Sequence, residues 1–318
     1  MKIAPATVAV DEARNGMHTR LLSQAGGLTQ YGCHIQTLPP GAQSSQRHWH
    51  SSEDEFLLVL EGVATVVDDD GAHHLGPMDA AAWAFGVSNG HQVRNLSDAP
   101  VTYVILGSRV ALDICSYPCS GDQQINGLTD WRVVDANGAV LRGGDLPPDL
   151  LGLSANWGLG AGTSVQRLLP ACTRVWQDDD DPGHPVLGKG LGPFRYANLG
   201  DAGGLSQFGV HLEELPPGSA SSFRHWHEAE DEMVLVLAGS VVLVEDQETV
   251  LQSGDVVCWP KGVAVGHCLV NRGAAPVQYL IIGTRLQRDR IHYPDHDLIA
   301  EKDGPARVWL HGDGRVRG

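Results

Sequence analysis

Positive charge is scarce in this chain: 22 Lys and Arg stand against 38 Asp and Glu, a formal net charge of −16 over 318 residues. That balance opposes binding to nucleic acid or to an anionic membrane, since both are held by cations that neutralise phosphate. No apolar run reaches membrane-spanning length, so no transmembrane segment is expected. The stretch Met1-Lys2-Ile3-Ala4-Pro5-Ala6-Thr7 lacks the long apolar core of a signal peptide. Cysteine is sparse, with six residues (Cys33, Cys115, Cys119, Cys172, Cys258 and Cys268) scattered mostly through strand-like runs. Cys115 and Cys119 lack the two-residue gap of a redox pair, and the pattern suits reduced thiols in a cytoplasmic protein better than a disulfide framework. Long helical periods are missing too. What remains is an ordinary globular composition, 42% hydrophobic and 19% charged, for which a small molecule is the expected partner.

What the chain does have is a duplication. Residues 25–62 match residues 202–239 at 24 of 38 positions without a gap, and the match resumes at Trp83 and Trp259. It continues through Tyr103 to Arg109 against Tyr279 to Arg285, through Tyr117-Pro118 against Tyr293-Pro294, and reaches Asn137-Gly138 against Asp313-Gly314. Two modules therefore follow, 1–138 and 197–318, joined by a segment of residues 139–196. Short β-prone runs broken by Gly, Pro, Asp and Asn fill each module. Val63 to Val67 followed by Asp68-Asp69-Asp70-Gly71 reads as a strand and hairpin turn, with Val241 to Val244 and Glu245-Asp246-Gln247 as its counterpart. The joining segment holds Gly143-Gly144-Asp145-Leu146-Pro147-Pro148, Trp157-Gly158-Leu159-Gly160 and Gln177-Asp178-Asp179-Asp180-Asp181-Pro182. It reads as linker with one or two strands packed across the modules. Its acidic run is a solvated turn before it is a calcium loop, because the EF-hand spacing is missing.

The centre of each copy is a histidine-rich stretch, Arg47-His48-Trp49-His50-Ser51-Ser52-Glu53-Asp54-Glu55 and Arg224-His225-Trp226-His227-Glu228-Ala229-Glu230-Asp231-Glu232. Strand alternation sends His48 and His50 to one face and Trp49 to the other. A third histidine follows in each copy, His91 in Gly90-His91-Gln92 and His267 in Gly266-His267-Cys268. The candidate ligand sets are therefore His48, His50, Glu55 and His91, and His225, His227, Glu232 and His267. Three imidazoles and a carboxylate suit a divalent transition metal (Fe, Mn, Ni, Zn, Co or Cu) and leave coordination positions open.

In the second copy His225, His227, Glu232, Gly239, Gly254, Pro260, Gly262, His267 and Asn271 spell a pattern that resembles the paired signature of the cupin superfamily. The first copy keeps all four ligand positions but has Met78 for Gly254 and Ala84 for Pro260, departures that bear on loop geometry. Two such modules resemble a bicupin, and the H-W-H-x2-E-D-E spelling resembles a bacterial group of cupins. The resemblance implies an all-β chain of two tandem jelly-roll barrels. It also implies that Glu55 and Glu232, rather than the neighbouring Glu53 and Glu230, complete the ligand sets. The plainer account of the two earlier glutamates is a solvated carboxylate at the barrel mouth.

Other residues have competing accounts. His34 and His211 share strand parity with Gln30 and Gln207 and are candidate catalytic acids or bases, with structural hydrogen bonding as the alternative. Asp54 and Asp231 read as surface or turn-bonded acids, and Arg47 and Arg224 as partners of nearby acids. Trp83, Trp259, Tyr103 and Tyr279 read as core packing before pocket walls. Functionally, a metal-dependent enzyme of dioxygenase or isomerase/lyase type stands against a non-catalytic binding, sensor or storage-like protein. A homo-oligomer formed through sheet edges fits either. A phosphate-binding pocket would need clustered Arg and Lys, which the sequence does not group near either site.

Overall fold

The structure is a computed structural model that describes residues 2–150 and 166–317; the Trp157 to Gly160 stretch lies outside them. The chain is all-β, with two tandem jelly-roll barrels. Four antiparallel strands centre the large sheet of the first module, in the order Ala80–Trp83, Glu55–Glu61, Val101–Ser108, Tyr31–Leu38. Val256–Trp259, Glu232–Ala238, Val277–Thr284 and Phe208–Leu215 repeat it in the second. A three-stranded sheet and a ribbon form the opposite wall. In the first module the ribbon runs Trp49–His50, Asp113–Tyr117, Asp122–Asn126, Asp130–Val134, Val140–Asp145.

Alternation explains why the central strands are apolar on both faces. Leu57 and Val59 join Val66, Trp83 and Tyr103 inside the first barrel. Phe56 and Leu58 point the other way, into a core shared with Phe208, Leu212, Met233, Leu235 and Ile282 of the second module. The large sheets thus pack on one another, and strands buried on both sides read as continuous hydrophobic runs. A Cβ added to Gly203 would lie 2.3 Å from Ala82 Cβ, and one on Gly26 2.3 Å from Cys258 Sγ, so close approach requires glycine at both points.

The two halves also exchange edges. Lys2 and Ile3 pair with Val257 and Val256 of the second module, and Leu168 and Leu169 pair with Ala81 and Ala80 of the first. Among the described residues of the joining segment, Val140–Asp145 and Leu168–Leu169 extend first-module sheets, while Gln177–Asp179 and Phe194–Asn198, which runs into the second module, extend the second. In the acidic run Asp181 accepts hydrogen bonds from the Gly190, Leu191 and Gly192 N–H groups. Met78 takes φ 70, the left-handed conformation that Gly254 takes at φ 89, so the first copy keeps the turn without the glycine.

Asp54 and Asp231 are not surface residues: both are fully buried and tie the modules together. Asp54 accepts from Phe85 N (2.8 Å) and, across the interface, from Ser206 N (2.7 Å) and Gln207 N (2.8 Å). Asp231 accepts from Lys261 N (2.8 Å), Thr29 N (2.7 Å) and Gln30 N (2.9 Å). Gln30 and Gln207 do not line a barrel either. Gln30 bonds Ala229 O and Asp231 N, and Gln207 bonds Ser52 O and Asp54 N, each reaching into the other module. Parity placed them wrongly because both precede their strands, which begin at Tyr31 and Phe208.

Hydrogen bonds to a charged group contribute about 1.5–3 kcal/mol each, and a buried donor left unpaired costs about 1–3 kcal/mol. Asp54→Ala should therefore lower unfolding free energy by about 3 kcal/mol or more in urea titrations, whereas exposed Asp69→Ala should change it by about 0.5 kcal/mol or less. Equal effects of the two variants would show that the buried carboxylate does not hold the modules together.

Candidate metal centre

Each proposed set converges, four residues in each barrel. His48 and His91 come together because their backbones bridge, with His48 N donating to His91 O and His91 N to His48 O. His225 and His267 form the same bridge. Ring centroids lie 5.2 Å apart for His48 and His50, 5.0 Å for His48 and His91, and 5.2 Å for both second-module pairs. Around Glu55 the Nε2 atoms of His48, His50 and His91 stand 3.9, 3.9 and 2.8 Å away. Around Glu232 those of His225, His227 and His267 stand 3.9, 3.6 and 3.0 Å away.

The opposite nitrogen of every ring is anchored outward. His48 Nδ1 meets Gln46 O at 2.9 Å, His50 Nδ1 meets Asp113 Oδ2 at 2.6 Å, and His91 Nδ1 meets Asn89 O at 3.3 Å. In the second module the acceptors are Phe223 O (2.9 Å), Asp289 Oδ2 (2.5 Å) and Val265 O (3.0 Å). Only an Nδ1–H can donate to a carbonyl, so the Nε2 lone pairs face the centre, the tautomer that metal ligation needs. Glu55 Oε2 is buried and takes no well-directed hydrogen bond although His91 Nε2 is close. This donor set fits a divalent transition metal.

Asp113 and Asp289 went unnoticed in the sequence. The signal was there, since both stand four residues before the repeated Tyr117-Pro118 and Tyr293-Pro294. Trp83 and Trp259 do more than fill the core: each stacks on the third histidine, at 3.9 Å on His91 and 3.8 Å on His267. Arg47 pairs with Asp69, and Arg224 with Asp246 and Asp295, away from the histidines.

Glu53 and Glu230 are not solvated carboxylates. Glu53 lies 3.6 Å from His50 Nδ1, on the far side of the ring from the centre, and Glu230 repeats this at 3.7 Å from His227. Burial lifts Glu53 to about 8. Burial likewise raises Glu230, although Lys302 offsets part of it.

His34 sits on the barrel-facing side of its strand, beside Ile105 in register. Next to it runs the row Glu55, Gly107, Gly32: the His34 ring and the Arg109 guanidinium lie over Gly32, and the bare backbone of Gly107 separates them from the carboxylate. His34 lines a cavity of about 660 Å³ with Glu53, Arg109, Gln124, Asn126, Trp131 and Arg142. The structure thus groups two arginines that lie far apart in sequence. Burial, reinforced by Arg109, holds His34 down at about 4. His211 is lowered by burial and by Arg285, and lies over Gly209 beside that guanidinium.

Electrostatics sets a proton linkage. Burial opposes charge on His227, but Glu232, Asp289 and Glu230 outweigh it and lift it to about 9. His50 is raised by the same balance, with Glu55 and Asp113 prevailing over burial. Burial pushes His225 down to about 4 and lowers His91. Without metal His227 therefore carries a proton at pH 7, and a metal at the second centre would have to displace it. Apparent metal affinity should rise about tenfold per pH unit between pH 6 and 8, with about one proton released per ion in calorimetry. Metal analysis should show occupancy falling by about half in His48→Ala and again in His225→Ala if both centres load. Unchanged occupancy in either variant would remove that centre from the reading.

The Cupin domain family model matches residues 34–107 and 211–283, the two regions that contain these centres. No curated protein matches the chain. Among solved structures, a sugar phosphate isomerase from a cupin superfamily of Silicibacter pomeroyi is 38% identical, with 46% of this chain and 94% of that chain covered and a TM-score of 0.42. Oxalate decarboxylase from Bacillus subtilis is 15% identical, with 90% of this chain and 76% of that one covered and a TM-score of 0.52, a likeness of fold. With one cupin match in each half and a two-barrel fold, the chain belongs to the cupin superfamily and is a bicupin.

Proposed function

We propose that this bicupin is a divalent-metal-dependent enzyme that acts on a small organic molecule by redox-neutral isomerase- or lyase-type chemistry. The observation that carries the metal reading is the outward anchoring of all six Nδ1 atoms, which turns three Nε2 atoms onto one carboxylate in each barrel. A bound divalent ion would supply Lewis acidity toward a carbonyl or hydroxyl group of the substrate. His48, His50, Glu55 and His91 would hold one ion, and His225, His227, Glu232 and His267 another.

What supports an enzyme over a scaffold is the space beside the first centre. A cavity of about 660 Å³ lies within the range of small-molecule sites, roughly 300–1,000 Å³. His34 borders it and is uncharged at neutral pH, so its ring can accept a proton from a substrate C–H or O–H group. The open space over Gly107 gives a bound molecule room between Glu55 and the His34 ring, which lies over Gly32. Asp113 holds the His50 ring, and Trp83 holds His91 from its face. Proton transfer by a neutral imidazole is the step that isomerase- and lyase-type chemistry requires.

The test is a screen of metal-loaded protein against small hydroxy acids, keto acids and sugars, followed by His34→Gln. The variant should keep its metal content and lose about 10²–10⁴-fold in kcat. Loss of metal together with activity would reassign His34 to structure. Oxygen consumed in proportion to turnover would replace the isomerase/lyase reading with a dioxygenase one.

A further inference from the structure

The side chains that frame the two centres match. Asp113 and Asp289 hold the second ring of each pair, and Trp83 and Trp259 stack on the third histidine. Tyr117 and Tyr293 flank the first ring, with centroids 6.2 Å from His48 and 6.0 Å from His225. Between Asp113 and Tyr117 the likeness breaks. Cys115 stands in register with His50 on the neighbouring strand, and the second module has Ile291 in register with His227. Residues directly opposite one another on paired strands share a face, so the Cys115 side chain points to the same side as the His50 ring.

The sulfur reaches the ligand atoms. One nitrogen of His48, one of His50 and the Cys115 Sγ all lie within 4.8 Å of one another. His48 is grouped at the same range with Glu55 and His91, so the thiol adjoins the ligand set through a shared member. Cys115 is 5% exposed and forms no disulfide. A buried cysteine acts by default as a small hydrophobe, and Ile291 shows that the position accepts a wholly apolar side chain. What separates Cys115 from such filler is its place among donor atoms, at a centre where Glu55 Oε2 is buried without a well-directed hydrogen bond. Proximity in sequence does not produce this. Cys268 adjoins His267 in the chain, yet among the described residues it groups with no ligand of the second centre.

We propose that Cys115 is a further ligand of the first centre, so that the chain holds two unlike metal sites, one with a thiolate and one with nitrogen and oxygen donors alone. This rests on the metal reading above and goes beyond it, to which ion each centre selects. Thiolate is a soft donor that favours ions such as Zn(II) and Cd(II), whereas carboxylate suits harder ions such as Mn(II). Cysteine ligates as the thiolate, so the thiol proton passes to solvent when the metal binds. Glu55 and Cys115 would together offset the charge of a divalent ion in the first module, where Glu232 acts alone in the second. The two ions would then polarise a bound carbonyl or hydroxyl unequally, and the first would keep fewer positions open. Ile291 fixes the difference, because an alkyl side chain at the matching point has no lone pair to offer.

The test loads the full-length protein with Co(II) and reads its absorption. Sulfur-to-cobalt charge transfer gives a near-ultraviolet band that imidazole and carboxylate ligands do not, while weaker visible bands report bound cobalt whatever holds it. The near-ultraviolet band should appear in the wild type and persist in His225→Ala. It should vanish in Cys115→Ser and in Cys115→Ile, the second of which copies the side chain that the other module already accommodates. In calorimetry on the His225→Ala background, Cys115→Ser should weaken Cd(II) about tenfold or more and Mn(II) about twofold or less. Visible cobalt bands without the near-ultraviolet one, a near-ultraviolet band that survives both Cys115 variants, or equal losses for the two ions would overturn the inference and leave the metal reading standing. Absence of bound cobalt, and of divalent metal in the purified protein, would overturn both.

Discussion

Three successive acids, Glu53-Asp54-Glu55, show the constraint on which the molecule depends: a strand buried on both faces sends alternate side chains to different environments. Glu55 goes to the centre of the barrel, and Asp54 goes through the sheet to grip the backbone of the other module. Glu53, before the strand begins, stands behind the His50 ring. Glu230-Asp231-Glu232 repeats this division of labour. The inter-module contact and the candidate centre are therefore two sides of one strand. A shift of one residue in register would exchange their acids and lose both.

Reciprocal exchange strengthens this coupling. The first strand of the chain completes the second module, and a strand from the joining segment completes the first. Asp79 receives Ala171 N, while Lys2 reaches Asp255 and Val250 O. Each large sheet thus has an edge covered by chain from elsewhere, which removes exposed ladder groups. The common core of both halves sits between the sheets. Rigid backing of this kind keeps the Nδ1 anchors and the Nε2 atoms in place, since ligand rings are only as well aimed as the backbone carbonyls and carboxylates behind them.

Duplication preserved the histidines but let their surroundings diverge. Gln24 stands where the second module has Asp201 paired with Arg285, and Asn126 where it has Lys302 paired with Glu230.

Much of this was legible in the sequence. Duplication and short β-prone runs determined two all-β modules, and the spacing of His48, His50, Glu55 and His91 with their counterparts marked the side chains that converge. Those signals are local, carried by period and by repetition. The sequence misjudged Asp54, Gln30 and Glu53; the repeat marked Asp113 without saying what it holds, and nothing in it placed Arg142 beside Arg109. In each case the deciding partner lies far away in the chain: Gln207 for Asp54, Ala229 for Gln30, Asp113 for His50. Periodicity says which way a side chain points but not what stands there. Only the packing of one sheet on the other, and the folding of the ribbon over the barrel, decided which charges are buried, paired or turned toward open space.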